Sequence, residues 1–321
     1  MRKVLSRFTT QECNELKATL LIATFAVLLM TESSVFAMTF VDADEVMGAS
    51  FGWPGWHDYL GTTVTVTDLD GTELVFTIHD GGSWRTNYVT MESFDGETVY
   101  STFPAGMRFN VKEIHTEDPE RKFWLARTGV GGSDDACKSF RLIGRDGDTY
   151  VEYLTLEDLQ EAGLSGYEVY WRVEDGEIVV TGWVRNRGRE LAFTGKMDSK
   201  VDEVRLFWDE DAEGIGIRRN PPQLYETDTW FYTDEEGTNY YLRWPNRTQS
   251  LVVKVEDDGK ISYLVYKFED APQCSYSIYD GGSFELLGPE IESGFLSDGS
   301  NANPSAVALY KGYSDAMKRR K

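Results

Sequence analysis

The dipeptide Asp-Gly occurs eight times in this chain, and its repetition limits how the chain can fold. The pairs begin at Asp70, Asp80, Asp95, Asp146, Asp175, Asp258, Asp280 and Asp298. Both residues tolerate positive φ, which matches the twist of two antiparallel strands joined by a tight turn. Runs of β-branched and aromatic residues, often alternating with polar ones, flank many of the pairs, as in TVTVTDLDGTELVFTIHDGG. The sequence therefore predicts antiparallel hairpins and meanders.

Helical patterns are few. LTLEDLQEAGL favours a short helix, because Thr155 can cap it, Asp158 follows three residues later, and Gly163 can end it. The C-terminal segment PSAVALYKGYSDAMKRRK is a second candidate. A parallel α/β sheet needs a helix for each crossover. We therefore predict an all-β protein of antiparallel β-sandwich or barrel units, with one or two short helices.

One stretch resembles a known barrel family. The run GTTVTVTDLDGTELVFTIHDGG is similar to the opening strands of calycin barrels, in particular the MoaF-like and phenolic acid decarboxylase branches, where a DG hairpin precedes a second strand that ends in another turn. The resemblance covers residues 60–124. It implies a calycin-like barrel as one form of the fold, and it carries no catalytic residue onto this chain.

The first 37 residues are typical of an export signal. Basic residues precede the apolar run ATLLIATFAVLLM at 18–30, and VFA at 35–37 offers a small-residue cleavage site. That run is shorter than the roughly 20 residues that a membrane-spanning helix needs. The sequence predicts a signal peptide at 1–37, a secreted or periplasmic protein, and no stable membrane insertion after cleavage. An uncleaved membrane anchor is the alternative.

The mature chain is long enough for one large domain or two ordinary ones. TGVGGSDDAC, which collects Gly, Ser and Asp between two strand-rich regions, is the best candidate linker. A boundary near Ser133 gives an N-terminal β domain at 38–133 and a C-terminal β domain at 134–321.

Cysteine use fits export. Cleavage would remove Cys13 and leave Cys137 and Cys274. We predict that these two form a disulfide in an oxidising compartment. Two unpaired buried cysteines are the alternative, because the sequence does not give their separation.

The net charge of the chain limits the classes of molecule that it can bind. The chain is strongly acidic, with a formal net charge of −22. Such a chain repels phosphate backbones and anionic membrane surfaces. No nucleic acid is expected as a partner.

One seven-residue phrase appears twice, as IHDGGSW from Ile78 and IYDGGSF from Ile278. It indicates either an internal duplication or two hairpins that need the same turn chemistry. His79 near Ser83 suggests a nucleophile with a base, but the second copy has Tyr279 in place of the histidine.

Acidic turns suggest a calcium site. In DEDAEG, the oxygen ligands Asp209, Asp211 and Glu213 are followed by glycine, as in the first half of an EF-hand loop. The loop pattern then fails, because Asn220 stands where a bidentate Glu is required. DLDGTE at 68–73 and RDGDTYVE at 145–152 are similar turns. Calcium is thus a possible cofactor, and solvated hairpins are the alternative for all three turns.

Aromatic residues in turn-like sequence provide the candidate binding site. FGWPGWHDYLG and YYLRWPNRT place rings beside Pro, Asn, Asp and Arg, a combination suited to stacking on sugar faces while hydrogen-bonding hydroxyls. The alternative is that these rings fill the ends of a core. The residues predicted to bind are Trp53, Trp56, Tyr59 and Trp244 as stacking rings, with Asp58 and Arg243 as polar partners.

The favoured function is therefore binding of a carbohydrate or cell-surface polymer. Two other classes stay open. A secreted carboxylate-dependent glycoside hydrolase or polysaccharide lyase needs a cleft with two carboxylates, one of raised pKa. A small-molecule carrier with a lipocalin-like barrel needs an enclosed apolar cavity.

Overall fold

The computed structural model describes residues 38–42, 63–83, 85–129, 137–166, 168–186, 189–244, 248–269, 274–281 and 287–318. Within these ranges the chain forms four open sheets in which every strand pairing is antiparallel. The predicted all-β class is confirmed.

Two sheets come from the first half of the described chain. The N-terminal sheet, in the order β2-β3-β4-β5, comprises Thr63–Thr67, Glu73–His79, Tyr88–Ser93 and Val99–Pro104. The five-stranded sheet, in the order β1-β6-β7-β8-β9, comprises Phe40–Asp42, Arg108–Thr116, Lys122–Gly129, Cys137–Asp146 and Thr149–Thr155.

The other two sheets follow in chain order. The middle sheet, β10 to β13, comprises Glu168–Glu174, Glu177–Arg185, Asp198–Asp209 and Gly214–Arg219. The C-terminal sheet, β14 to β19, comprises Thr229–Thr233, Asn239–Trp244, Gln249–Val255, Ile261–Glu269, Ser275–Asp280 and Glu290–Phe295.

The helices are short, as the sequence predicts. They are α1 at Leu156–Glu161, α2 at Arg189–Thr194 and α3 at Pro304–Lys318, with a 3₁₀ helix at Leu296–Asn301. At α1 the Thr155 hydroxyl accepts a hydrogen bond from the Asp158 N–H, and the Asp158 carboxylate accepts one from the Thr155 N–H, which is the predicted capping arrangement. Among the described residues, no helix combines the length and the apolarity needed to cross a membrane.

Four hydrophobic cores hold the sheets in a layered order. Phe76 and Met91 of the N-terminal sheet pack with Trp124 of the five-stranded sheet. The five-stranded sheet shares a second core with the middle sheet, around Trp208. The middle sheet meets the C-terminal sheet in a third core, and α3 covers the other face of the C-terminal sheet with residues such as Leu309. Alternating apolar positions on the strands create these faces.

The turns follow the Asp-Gly pairs. Seven of the eight stand between consecutive strands of a sheet, and the pair at Asp298 lies in the 3₁₀ helix. At the β10–β11 hairpin, Asp175 and Gly176 have φ values of 54° and 79°. Two consecutive positive φ values define the tight turn whose twist suits antiparallel strands.

A bulge in the middle sheet changes which residues face the C-terminal sheet. The pairing of β11 with β12 shifts in register between Gly182 and Trp183. A Cβ at Gly182 would lie 1.8 Å from the Ser165 carbonyl oxygen, so only glycine fits there. Beyond the bulge, Val184 and Val201 join the core shared with the C-terminal sheet, whereas Val180 before it joins the core shared with the five-stranded sheet.

The expectation of a calycin-like barrel is not met. The region of that resemblance contributes β2–β5 to an open four-stranded sheet, and β6 and the start of β7 to the five-stranded sheet. None of the four sheets closes among the described residues. The predicted domain boundary near Ser133 lies outside the described residues. Strands from both sides of it, β7 and β8, pair within the five-stranded sheet.

The predicted disulfide is not formed. Cys137 and Cys274 are both free thiols. Cys137 begins β8 of the five-stranded sheet, where its thiol donates to the Ser139 carbonyl over 3.3 Å, while Cys274 precedes β18 of the C-terminal sheet. Burial raises the pKa of the Cys137 thiol. Among the described residues, the sheets beside these two cysteines share no core, which the sequence could not reveal.

The repeated DGGS phrase does not mark two equivalent hairpins. Each copy begins inside a strand that pairs with the next strand of its sheet. These pairs are β3 with β4 and β18 with β19. However, Ile78 pairs with Val89, whereas Ile278 pairs with Glu292. The registers thus differ by three residues, which favours similar turn chemistry over duplication.

Candidate functional site

The predicted ligand-binding residues fall into two groups. Trp53, Trp56, Asp58 and Tyr59 lie outside the described residues. Arg243 and Trp244 end β15 and are both buried, at 0% and 9% exposure. In this structure these two side chains belong to the protein interior and not to its surface.

The surroundings of Arg243 explain its burial. Its Nε and Nη2 atoms donate to the two carboxylate oxygens of Asp228 over 2.9 and 2.8 Å. The rings of Tyr225 and Tyr263 lie 4.0 and 4.8 Å from its guanidinium carbon. Burial alone would lower the pKa of Arg243, but the hydrogen bonds and charge of Asp228 raise it. A fully buried charge persists because this partner neutralises it.

A different tryptophan is exposed in the same hairpin. Trp230 of β14 is 57% exposed. Its strand is at the edge of the C-terminal sheet, with a neighbouring strand among the described residues on one side only. The β14–β15 pairing shifts in register between Trp230 and Tyr232. One extra residue in a strand reverses the alternation beyond it, so Trp230 and Thr233, three positions apart, lie on the same face.

This face carries a small patch, formed by Trp230 and Thr233 of β14 and by Asn239 and Tyr241 of β15, which we call the Trp230 patch. Trp230 pairs with Tyr241 across the strands, and Thr233 pairs with Asn239. The indole N–H donates to the Thr233 hydroxyl over 3.0 Å, and that hydroxyl donates to the Asn239 amide oxygen over 2.7 Å. The chain of bonds fixes the indole orientation and leaves the ring face open.

A second surface feature is a cleft where four hairpin turns meet, with a volume of about 520 Å³. We call it the hairpin cleft. The turns are those of β2–β3, β6–β7, β8–β9 and β12–β13. Its lining residues are Asp68, Leu69, Asp70, Asp118, Glu120, Arg121, Lys122, Phe123, Arg145, Asp146, Gly147, Tyr153 and Glu213. Tips of hairpins from three successive sheets thus build one polar site.

Aromatic rings support one side of the hairpin cleft. Phe123, Tyr153 and Trp208 contact one another with ring centres 5.4 to 5.9 Å apart. The Arg121 guanidinium carbon lies 4.3 Å from the centre of the Trp208 ring, and its Nε is 3.4 Å from an Asp118 oxygen. Stacking and the ion pair together hold the Arg121 side chain against this wall.

Arg145 organises the opposite side. It forms an ion pair with Asp70, a longer one of 3.3 Å with Asp68, and a hydrogen bond from Nε to the Gly147 carbonyl. Asp68 is buried and also accepts from the Tyr150 hydroxyl over 2.7 Å. Hydrogen bonds from Thr72 and Arg145 lower the pKa of Asp70. These contacts fix the turns that form the cleft.

The acidic turns that the sequence associates with calcium have another arrangement. Asp209 accepts hydrogen bonds from the N–H groups of Asp211 and Ala212 and so closes its own turn, while Glu213 has a φ of 47°. Among the described residues, no three His, Cys, Asp or Glu side chains converge as metal ligands. The turns meet instead around the hairpin cleft, which receives Asp68, Asp146 and Glu213 from three of them.

The Ser83 and His79 pair does not form a catalytic contact. The His79 ring nitrogen Nε2 is bonded to the Thr90 hydroxyl at 2.8 Å, and the ring stacks on Tyr88 at 4.8 Å. The Ser83 hydroxyl is bonded to Thr86 at 3.0 Å. Both side chains serve the β3–β4 hairpin.

Comparison of the chain with protein-family models, with curated proteins and with solved structures found no match. The Trp230 patch and the hairpin cleft are the two surface features whose chemistry indicates a function.

Both features were missed by sequence reasoning, which selected rings by their position in turns. Trp230 stands in TWFYT, a run of three consecutive rings, and because successive side chains of a strand point to opposite faces, such a run puts rings on both faces. That run was a usable signal for a bulge or an exposed ring. Nothing local in the sequence indicates that the turns at Asp70, Arg121, Asp146 and Glu213 meet.

Proposed function

We propose that this protein is exported and binds a carbohydrate or cell-surface polymer through exposed aromatic rings, with the Trp230 patch as a stacking site. The observation that carries the proposal is an indole that is exposed and yet held in one orientation by Thr233 and Asn239. Ordering before binding reduces the entropy lost on association.

The chemistry of the patch suits a sugar. The Trp230 N–H is already bonded within the protein, so the ring offers its apolar face to a ligand. A hydroxyl, an amide and a phenol lie beside that face, on Thr233, Asn239 and Tyr241. A pyranose has an apolar face rimmed by hydroxyls, and this combination of stacking and hydrogen bonding recognises it.

The loop rings Trp53, Trp56 and Tyr59, with Asp58, remain part of the proposal from the sequence. They offer further stacking positions and a polar partner. The export signal at 1–37 supports a secreted or periplasmic location, where such polymers are found.

The hydrolase and carrier alternatives receive less support. Burial raises the pKa values of the carboxyl groups of Asp198 and Asp202, but both residues belong to β12 and neither lines the hairpin cleft. The cleft carboxyl of Asp70 has a lowered pKa. No sheet of the described residues encloses a cavity by closing into a barrel.

The test is binding of the purified chain to a glycan array and to insoluble polysaccharides. We expect Trp230→Ala to weaken binding at least about 10-fold, because a central ring often contributes more than about 1.4 kcal/mol. Phe94→Ala is the matched control, since Phe94 is 66% exposed in the β4–β5 turn and lies outside the patch.

Unchanged binding by Trp230→Ala would show that the Trp230 patch is not the site. A parallel double variant, Trp53→Ala with Trp56→Ala, tests the loop rings in the same assay. If the wild-type chain binds no glycan or polysaccharide, the proposed ligand class is wrong.

A further inference from the structure

The hairpin cleft contains donors that the protein itself does not use. Within the described part of the chain, the terminal nitrogens of Arg121 have no hydrogen-bond partner, although the side chain is held by Trp208 and Asp118. A guanidinium that is fixed in place with its outer edge open is suited to bind a carboxylate.

The same cleft contains acceptors without cationic partners. The side chains of Glu120, Asp146 and Glu213 line it, and none of the three forms an ion pair or side-chain hydrogen bond with another described residue. By contrast, the carboxylates of Asp68 and Asp70 are paired with Arg145.

Tyr153 shows that the two charge types meet. Burial is the largest cause of the raised pKa of its phenol. The carboxylates of Asp146 and Glu213 raise that pKa further, whereas the positive charge of Arg121 lowers it. All three charges therefore act on one ring of the cleft wall. Tyr153 also donates to the Arg145 carbonyl over 3.3 Å, which fixes its position.

Charge balance favours a ligand that carries both signs of charge. A plain anion would meet Arg121 but also three unpaired carboxylates, in a chain of net charge −22. A plain cation would meet those carboxylates but also the positive charges of Arg121 and Lys122, which line the same cleft. A ligand with one charge of each sign satisfies both sets.

We propose that the hairpin cleft binds a small zwitterion of the amino-acid class. Its carboxylate would bind Arg121, its ammonium would bind among Asp146, Glu213 and Glu120, and its side chain would contact the Tyr153 ring. A cleft of about 520 Å³ has room for an amino acid with an aromatic side chain. This inference concerns a different site from the Trp230 patch and does not depend on the proposed carbohydrate function.

Isothermal titration calorimetry with three matched probes tests the proposal on the full chain. L-Phenylalanine carries both charges, 2-phenylethylamine lacks the carboxylate, and 3-phenylpropanoate lacks the ammonium. We expect saturable binding of phenylalanine and at least about 10-fold weaker binding of each other probe, since each loses one charged contact.

Single variants test which residue binds the carboxylate of the ligand and which binds its ammonium. Arg121→Gln is expected to reduce phenylalanine affinity about 10-fold and to leave that of 2-phenylethylamine no weaker. Glu213→Gln is expected to reduce the affinity for both ligands that carry an ammonium. If Arg121→Gln does not fold, Glu213→Gln and Asp146→Asn still test the site, because their charges have no partner among the described residues.

Arg218→Gln is the control. Arg218 also lies over a ring, 5.7 Å from Phe207, and pairs with Glu177, but it does not line the cleft. Its variant should bind phenylalanine as the wild type does. Equal affinity for phenylalanine and either singly charged probe, or no saturable heat with phenylalanine at millimolar concentration, would overturn the proposal.

Discussion

Two tryptophans on adjacent strands of the C-terminal sheet have opposite environments. Trp244 of β15 is 9% exposed and packs with Val184 and Val201 of the middle sheet. Trp230 of β14 is 57% exposed. Trp244 and Tyr241 both pack in the core between the C-terminal and middle sheets. Trp230 pairs with Tyr241 across the strands, so its side chain lies on the same face of the C-terminal sheet. The middle sheet therefore covers this face at Trp244 on β15 but not at Trp230 on the edge strand β14.

The two ends of this face also differ in their polar groups. At the covered end, the side chains of Arg243 and Asp228 are fully buried and form an ion pair over 2.8 Å. At the open end, Thr233 and Asn239 are neutral and partly in contact with solvent. Buried charges need partners within the protein, whereas solvent-exposed polar groups remain available to a ligand.

We expect the largest loss of stability from a substitution that breaks the Arg243–Asp228 ion pair. Arg243→Met leaves the Asp228 carboxylate buried without its cation, and we expect a loss of about 4 kcal/mol in the free energy of unfolding. Urea denaturation followed by circular dichroism measures it. The double variant Arg243→Met with Asp228→Leu should recover part of the loss, because it removes both charges. A loss below about 1 kcal/mol in the single variant would contradict a closed, unsolvated pair.

Trp244→Ala is expected to have the next largest effect. Removing a buried indole creates a cavity between the two sheets and should cost about 3 kcal/mol. The same denaturation experiment on Trp230→Ala should show a change within about 0.5 kcal/mol, because that ring is mostly in solvent. Equal losses in the two variants would mean that the two rings are equally covered in solution.

The smallest effect sharpens the comparison at the open end. Thr233→Val removes the acceptor of the Trp230 N–H and should change stability by no more than about 1 kcal/mol. We expect a more mobile indole and glycan binding weaker by about three-fold, the equivalent of a fraction of one hydrogen bond. Fluorine NMR of chain labelled with 5-fluorotryptophan measures the mobility, with the Trp230 signal assigned by Trp230→Phe.

Thr63→Val serves as the control for that experiment, since Thr63 is exposed on the edge strand β2. A Trp230 signal that is identical in Thr233→Val and in the wild type would show that the hydrogen bond does not order the ring.

Local features of the fold were predictable from local sequence. The Asp175-Gly176 turn and the Thr155 and Asp158 cap each depend on residues a few positions apart. Backbone preferences and short-range hydrogen bonds decide such features, so the sequence alone specifies them. The all-β class follows from the same turns.

The candidate sites were not predictable in this way. YYLRWPNRT looks like a surface loop with rings, but Arg243 and Trp244 end a strand that the middle sheet covers. The acidic turns looked like separate hairpins, yet three of them meet in the hairpin cleft. Cys137 and Cys274 looked like a pair, but Cys137 begins a strand of the five-stranded sheet, whereas Cys274 precedes a strand of the C-terminal sheet.

The amino-acid sequence by itself determined the hairpins, the short helices and the acidic character of this protein. The tertiary structure alone decided which rings are exposed, which charges are paired, and which turns share a cleft. The reason is that hairpins form through contacts between near neighbours in the chain, whereas exposure and charge pairing depend on the layer that packs across each face. Bulges at Gly182 and beside Trp230 change those faces by a single residue, and their consequences appear only when the sheets are stacked.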